Sequence, residues 1–205
     1  MKKQISKIIV AFVMCVTFLF ASIETVTVDA KYNYKKIYSS VVASPKSVYK
    51  YAKFLKKYPY NLYKPKYTKH FYYDLDKNGV KELFVYDPSG SKNDDSHFVL
   101  VFTIKNGKVK LLGSSGSFCG INKKKKVLIE HGHWHGAGGS DEYEWSVYKI
   151  NKKKTGLTWK YYFDKDYDGK YKVYYPKTGK TKKSKKLYKK MYRKYVKNTK
   201  YVFYK

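Results

Sequence analysis

Carboxylates are in short supply in this 205-residue chain: 15 aspartates and glutamates stand against 45 lysines and arginines, for a formal net charge of +30. Arginine is scarcer still, with Arg193 alone. Base-edge reading and phosphate clamping both lean on the bidentate arginine fork. Specific nucleic-acid recognition therefore ranks last as a purpose and is not expected, and a lysine cloud supplies instead a diffuse field that attracts polyanions loosely. Two cysteines, Cys15 and Cys119, are too few for a disulfide framework, so stability has to come from a core, a metal, or both. No internal repeat and no interdomain linker interrupts the chain. Long apolar runs are also missing, apart from one at the N-terminus.

That run carries the three parts of an export signal. Lys2, Lys3 and Lys7 precede an apolar stretch from Ile8 to Ala21, and Val28-Asp29-Ala30 forms a small-residue cleavage site before Lys31. The stretch falls short of the roughly 20 residues of a spanning helix. Phe12-Val13-Met14 ahead of Cys15 lacks the small residues of a lipidation site. The sequence thus predicts a cleaved signal peptide over 1–30, a single basic, mostly β domain over 31–205, no transmembrane segment after cleavage, and a secreted or cell-wall-associated location. One unpaired cysteine, Cys119, remains; it lacks the surroundings of a catalytic thiol and reads as a small buried apolar residue. The 25 tyrosines and the lysines are also what an AT-rich coding sequence would enrich together.

Beyond residue 30, the acids fall in three groups: Asp74 to Asp95, Glu130 to Glu144, and Asp164 to Asp168. Fifteen basic residues and no acid lie between Gly169 and Lys205. Ser44-Pro45 reads as a helix start, and Val48, Tyr51, Ala52, Leu55 and Tyr58 recur at helical spacing, predicting a helix over 45–58. Aromatic and β-branched runs predict strands at 69–74, 82–87, 97–105, 108–113, 126–131, 142–150, 157–163 and 170–175, with an Asn106-Gly107 hairpin. Ser184 caps a second amphipathic helix through Leu187, Tyr188, Met191, Tyr192 and Tyr195. The expected fold class is α+β: an antiparallel meander of about eight strands with an N-terminal and a C-terminal helix packed on it.

The most informative segment is Asp74-Leu75-Asp76-Lys77-Asn78-Gly79-Val80-Lys81-Glu82-Leu83. Oxygen side chains stand at positions 1, 3, 5 and 9 of a loop with glycine at 6. A chain wrapping a hard cation presents alternate side chains inward, and glycine allows the sharp turn. Position 12 is Val85 and the flanks are strand-like, which excludes an EF-hand. The loop resembles the nine-residue hairpins of integrin-type FG-GAP and VCBS-like repeats and of small exported bacterial proteins, over about residues 71–86. That resemblance implies Ca²⁺ as cofactor, with Asp74, Asp76, Asn78 and Glu82 as side-chain ligands and Val80 giving its carbonyl. Without a metal, the same residues make a hairpin whose Asp and Asn bond their own backbone.

Weaker constellations follow. Asp164, Asp166, Asp168 and Gly169 repeat the spacing but carry Lys172 at position 9, which favours an Asp-Gly turn. Trp159-Lys160-Tyr161-Tyr162-Phe163-Asp164 resembles one unit of the aromatic repeats of choline- and glucan-binding cell-wall modules, which implies Trp159 and Tyr161 as stacking platforms. His131, His133 and His135 alternate, so a strand would set them on one face about 6–7 Å apart. That spacing suits Zn²⁺ or Cu²⁺, with Asp141, Glu142 or Glu144 in support. Gly132, Gly136, Gly138 and Gly139 point instead to an irregular loop. The leading expectation is a monomeric, secreted, non-catalytic domain with a structural Ca²⁺ hairpin, held electrostatically at an anionic cell-surface polymer. A carbohydrate- or cell-wall-binding module and a histidine-based metal-dependent hydrolase are the alternatives.

Overall fold

A computed structural model describes residues 33–52, 67–87, 99–115, 118–136, 139–151, 153, 155–197 and 199–201. The expected signal peptide and residues 53–58 of the expected first long helix lie outside them.

Two short helices lead, α1 (Tyr34–Val42) and α2 (Pro45–Tyr51). Asn33 Oδ1 caps α1 by accepting from the Lys36 amide, and Ser44 caps α2 by accepting from Ser47, with Pro45 in the first turn. α2 stops at Tyr51 because Ala52 leaves helical geometry at φ −111°, ψ 58°. The strands follow as β1 (Lys69–Tyr73), β2 (Glu82–Tyr86), β3 (Val99–Lys105), β4 (Lys108–Ser115), β5 (Phe118–Asn122), β6 (Val127–His135), β7 (Asp141–Ile150), β8 (Leu157–Lys165), β9 (Tyr171–Tyr175) and β10 (Lys180–Lys183). A third helix, α3 (Lys185–Met191), runs into one π-helical turn (Tyr192–Val196), and a two-residue strand, β11 (Lys200–Tyr201), closes the fold.

The expected single meander is corrected here to two antiparallel sheets. One has four strands in the order β1-β2-β3-β4, and the other has seven in the order β10-β9-β8-β7-β6-β5-β11. The split lies at the β4–β5 junction, where the chain starts a second sheet instead of extending the first. Alternation explains why two sheets suffice for three cores. Leu83, Val85, Leu100 and Phe102 turn outward to Tyr38, Val41 and Val48 of the leading helices. Phe84, Val99 and Val101, on the reverse face, meet Ile121 and Leu128 of the larger sheet. Val127, Ile129, Val147, Phe163 and Val173 then face Met191, Tyr195 and Val196. The result is helices, sheet, sheet, helix: four layers, broadly α+β.

Local chemistry sets the connections. Asn106 and Gly107 both take positive φ, 52° and 72°, and join β3 to β4 in the two-residue turn their sequence predicts. Ser184 accepts from the Leu187 amide at 3.2 Å and starts α3. The π-helical turn after Met191 rotates Tyr195 and Val196 into the core together. Among the described residues, no helix is long and apolar enough to cross a membrane.

Candidate metal centre

The β1–β2 hairpin has a constrained loop. Asp74 accepts two backbone amides, Asn78 N–H on Oδ1 at 3.0 Å and Gly79 N–H on Oδ2 at 2.9 Å. Asn78 Oδ1 in turn accepts Val80 N–H at 2.9 Å. Gly79 sits at φ 82°, where a side chain would be strained, and Lys77 at φ 58°. These bonds are the self-capping turn that the acidic loop predicts without any metal.

They do not account for Glu82. This carboxylate is fully buried at the start of a central strand, where Oε2 accepts Leu75 N–H at 2.9 Å and Oε1 accepts Thr103 Oγ1–H at 3.2 Å. Carboxylate oxygens of Asp74, Asp76 and Glu82 all lie within 4.8 Å of one another. Burial drives the Glu82 pKa up to about 8; the neighbouring Asp76 and Asp74 push the same way, and the Leu75 and Thr103 donors offset part of it. Three acids gathered on one point, one of them out of water, is an arrangement that a cation would relieve.

The packing explains the convergence. Leu83 and Val85 face the leading helices, so Glu82 and Phe84 face the gap between sheets, where Leu75 is buried with Phe84. Tyr38 Oη donates to the Lys81 carbonyl at 2.9 Å and pins the loop's far end to α1. Lys126 Nζ, from the turn between β5 and β6, reaches the Asp76 carbonyl at 3.3 Å. The Val80 side chain is buried against the helices. Asp74, Asp76, Asn78 and Glu82 therefore share one loop, and Asp74, Asp76 and Glu82 share one focus.

The other sequence candidates resolve differently. The segment 131–135, expected as a glycine-rich loop, is corrected to the end of strand β6. Gly132 serves the strand, because a Cβ there would lie 3.0 Å from Glu144 Oε2 and 3.3 Å from Trp134 Nε1. His131 does not join its neighbours: its ring stacks on Trp145 at 4.1 Å, and burial lowers its pKa to about 4, with His133 adding to the effect. His133 and His135 do meet, around Asp141, across paired strands. Desolvation pushes the Asp141 carboxyl upward, yet hydrogen bonds from His135 and Tyr143 outweigh it and hold the group below the ordinary range.

Trp159 and Tyr161, expected to act together, are separated. β8 bulges at this point, pairing Val147 with Tyr161 but Tyr148 with Trp159, so Lys160 is the extra residue. Trp159 joins Tyr162 and Tyr174 on one face, at 6.0 and 5.6 Å, while Tyr161 packs against Tyr175 and Tyr195 on the helix side. The Asp164–Gly169 segment forms the turn its Asp-Gly pair predicts. Asp166 accepts Lys170 N–H, Lys172 Nζ lies 2.9 Å from Asp166, and Lys170 Nζ 2.6 Å from Asp168. Cys119 lies in β5, and its side chain falls outside the described residues.

Helix α1 went unread in the sequence, although Asn33 as cap and Ile37, Tyr38 and Val41 at helical spacing were its signal. What emerges is a two-sheet α+β protein with a loop of converging carboxylates at the edge of its inter-sheet core. Set against protein-family models, curated proteins and solved structures, the chain matches none.

Proposed function

We propose that this chain is an exported, non-catalytic domain that associates with anionic cell-surface polymers and is stiffened by one Ca²⁺ in the β1–β2 hairpin. The convergence of Asp74, Asp76 and buried Glu82 within 4.8 Å carries the metal part of this reading. An all-oxygen donor set of two aspartates, a glutamate and an asparagine suits a hard cation, and the resemblance to integrin-type hairpins favours calcium over magnesium. Bound there, the ion would supply charge that lets Glu82 stay ionised while buried. Asp74, Asp76, Asn78 and Glu82 hold it, with the Val80 carbonyl completing the shell.

The surface supports the electrostatic part. The whole of β10 is exposed as Lys-Thr-Lys-Lys, and α3 adds Lys185, Lys186, Lys189 and Lys190 without an acid among them. Calcium titration of residues 31–205 tests the first part. Wild type gains thermal stability that rises with the logarithm of free calcium above Kd, by about 3 kcal/mol at a hundredfold excess. Asp74→Ala with Asp76→Ala gains nothing. An equal response in both chains ends the calcium reading.

One observation favours a second reading, recognition of a wall carbohydrate. Trp134 and Trp159 are 44% and 39% exposed, large for tryptophan, and on the same face the Tyr162 hydroxyl donates to Glu144 at 2.6 Å. Aromatic platforms beside carboxylate acceptors fit sugar rings and their hydroxyls. Retention on envelope material in molar salt, lost in Trp134→Ala with Trp159→Ala, would select this reading over charge attraction.

A further inference from the structure

The end of the β6–β7 hairpin carries a second cluster of different chemistry. The strand register pairs His135 with Asp141 and His133 with Tyr143, setting all four side chains on one face of the larger sheet. His135 Nδ1 lies 2.7 Å from Asp141 Oδ1, and His133 Nε2 lies 3.5 Å from the same oxygen. One ligand atom from each of the three residues falls within 4.8 Å of the others. In a tetrahedral site with nitrogen and oxygen ligands at 2.0–2.2 Å, adjacent donors stand roughly 3.4 Å apart. The observed spacing is therefore close to a coordination shell without rebuilding the backbone.

We propose that His133, His135 and Asp141 form a binding site for a single borderline divalent ion, with Zn²⁺ as its cognate class. The His133 Nε2 atom is buried, and its approach to Asp141 Oδ1, at 3.5 Å, is too long for a well-formed hydrogen bond. Tyr143 Oη donates to the other Asp141 oxygen at 3.1 Å and fixes the carboxylate plane, as outer-shell partners of metal ligands do. Two imidazoles and one carboxylate suit zinc and disfavour calcium, which takes oxygen alone. His131 stays out of the shell, its ring held over Trp145. The His135 side chain is 71% exposed, so the ion meets solvent and keeps a fourth position for water or an external donor.

The site shares no ligand with the calcium loop, and the experiment keeps the two apart. The full 31–205 chain is titrated calorimetrically with Zn²⁺ in phosphate-free buffer holding saturating Ca²⁺. One saturable equivalent is expected. His133→Ala, His135→Ala and Asp141→Asn each weaken uptake at least about tenfold. His131→Gln and the Asp74→Ala, Asp76→Ala pair leave it within twofold. Co²⁺ in place of zinc should give the intense visible bands of a four-coordinate site in wild type and lose them in His135→Ala, whose exposed position leaves folding intact. Absence of saturable uptake, or uptake indifferent to His133 and His135, overturns the proposal.

Discussion

Glu82 concentrates the chemistry of this protein in one side chain. A glutamate without exposure at the start of a central strand is costly unless its charge is removed or matched. Its pKa of about 8 in the metal-free fold lies above the ordinary carboxylate range, so the folded state binds a proton that the unfolded state has released. Between about pH 4.5 and 8 the native state is the more protonated of the two, and stability falls as pH rises through that window. Chelated wild type should therefore melt progressively lower from pH 5 to pH 8, whereas chelated Glu82→Gln should lose much less over the same range. Saturating calcium should flatten the wild-type profile, because the ion replaces the proton. Thermal unfolding in matched buffers, with and without chelator, reads both outcomes. Gly79 is the backbone counterpart: at φ 82°, Gly79→Ala should cost about 1 kcal/mol and weaken the proposed calcium binding alongside.

Strands and helices show why short-range pattern reading succeeded here and where it ran out. The eight strands expected from alternation all exist, within a few residues of their predicted ends, since tyrosine, valine and isoleucine repeat at period two and turn residues separate them. Three further strands went unread. β5 is masked by its glycine and cysteine, β10 is Lys-Thr-Lys-Lys with no apolar face, and β11 has two residues. Each pairs because a neighbour offers backbone partners, which composition does not reveal. β11 depends on Gly120, where a Cβ would come within 2.2 Å of the Lys200 carbonyl oxygen. Gly120→Ala should thus detach the C-terminal strand and raise amide exchange at Lys200 and Tyr201, leaving exchange in β7 and β8 unchanged. Ser184→Ala should remove the α3 cap and destabilise by about 1 kcal/mol, measured by denaturant unfolding. The bulge at Lys160 is the clearest limit on pattern reading. One unpaired residue reverses the alternation and sends Trp159 and Tyr161 to opposite faces.

Taken as a whole, the molecule distributes charge unevenly. Two acidic groups that are distant in sequence, Glu130 to Glu144 and Asp164 to Asp168, come together because β7 pairs with β8 and sets Glu144 opposite Asp164. Lysines dominate the remaining surface, including all the charged groups of β10 and α3. Cleavage of the proposed signal would take away three lysines and two acids, leaving a charge within one unit of +30. Binding of the 31–205 chain to an anionic polymer should fall steeply between about 0.05 and 0.5 M salt, as the screening length shrinks from more than 10 Å to under 5 Å. Sedimentation with purified envelope material across that range measures it, and retention unchanged by salt would remove electrostatic attraction as the basis of the proposed association.

Period-two alternation, turn dipeptides and helix caps are local properties, so most strands, the starts of α2 and α3 and the metal-like spacing of residues 74–82 were legible in the chain alone. Partnership between distant segments is a property of packing. The division into two sheets, the burial that raises the Glu82 pKa, the separation of Trp159 from Tyr161 and the selection of His133 and His135 over His131 all depend on which strands lie side by side. No residue carries that information in its own neighbours, because it arises when apolar faces from distant segments are buried against one another in stacked layers.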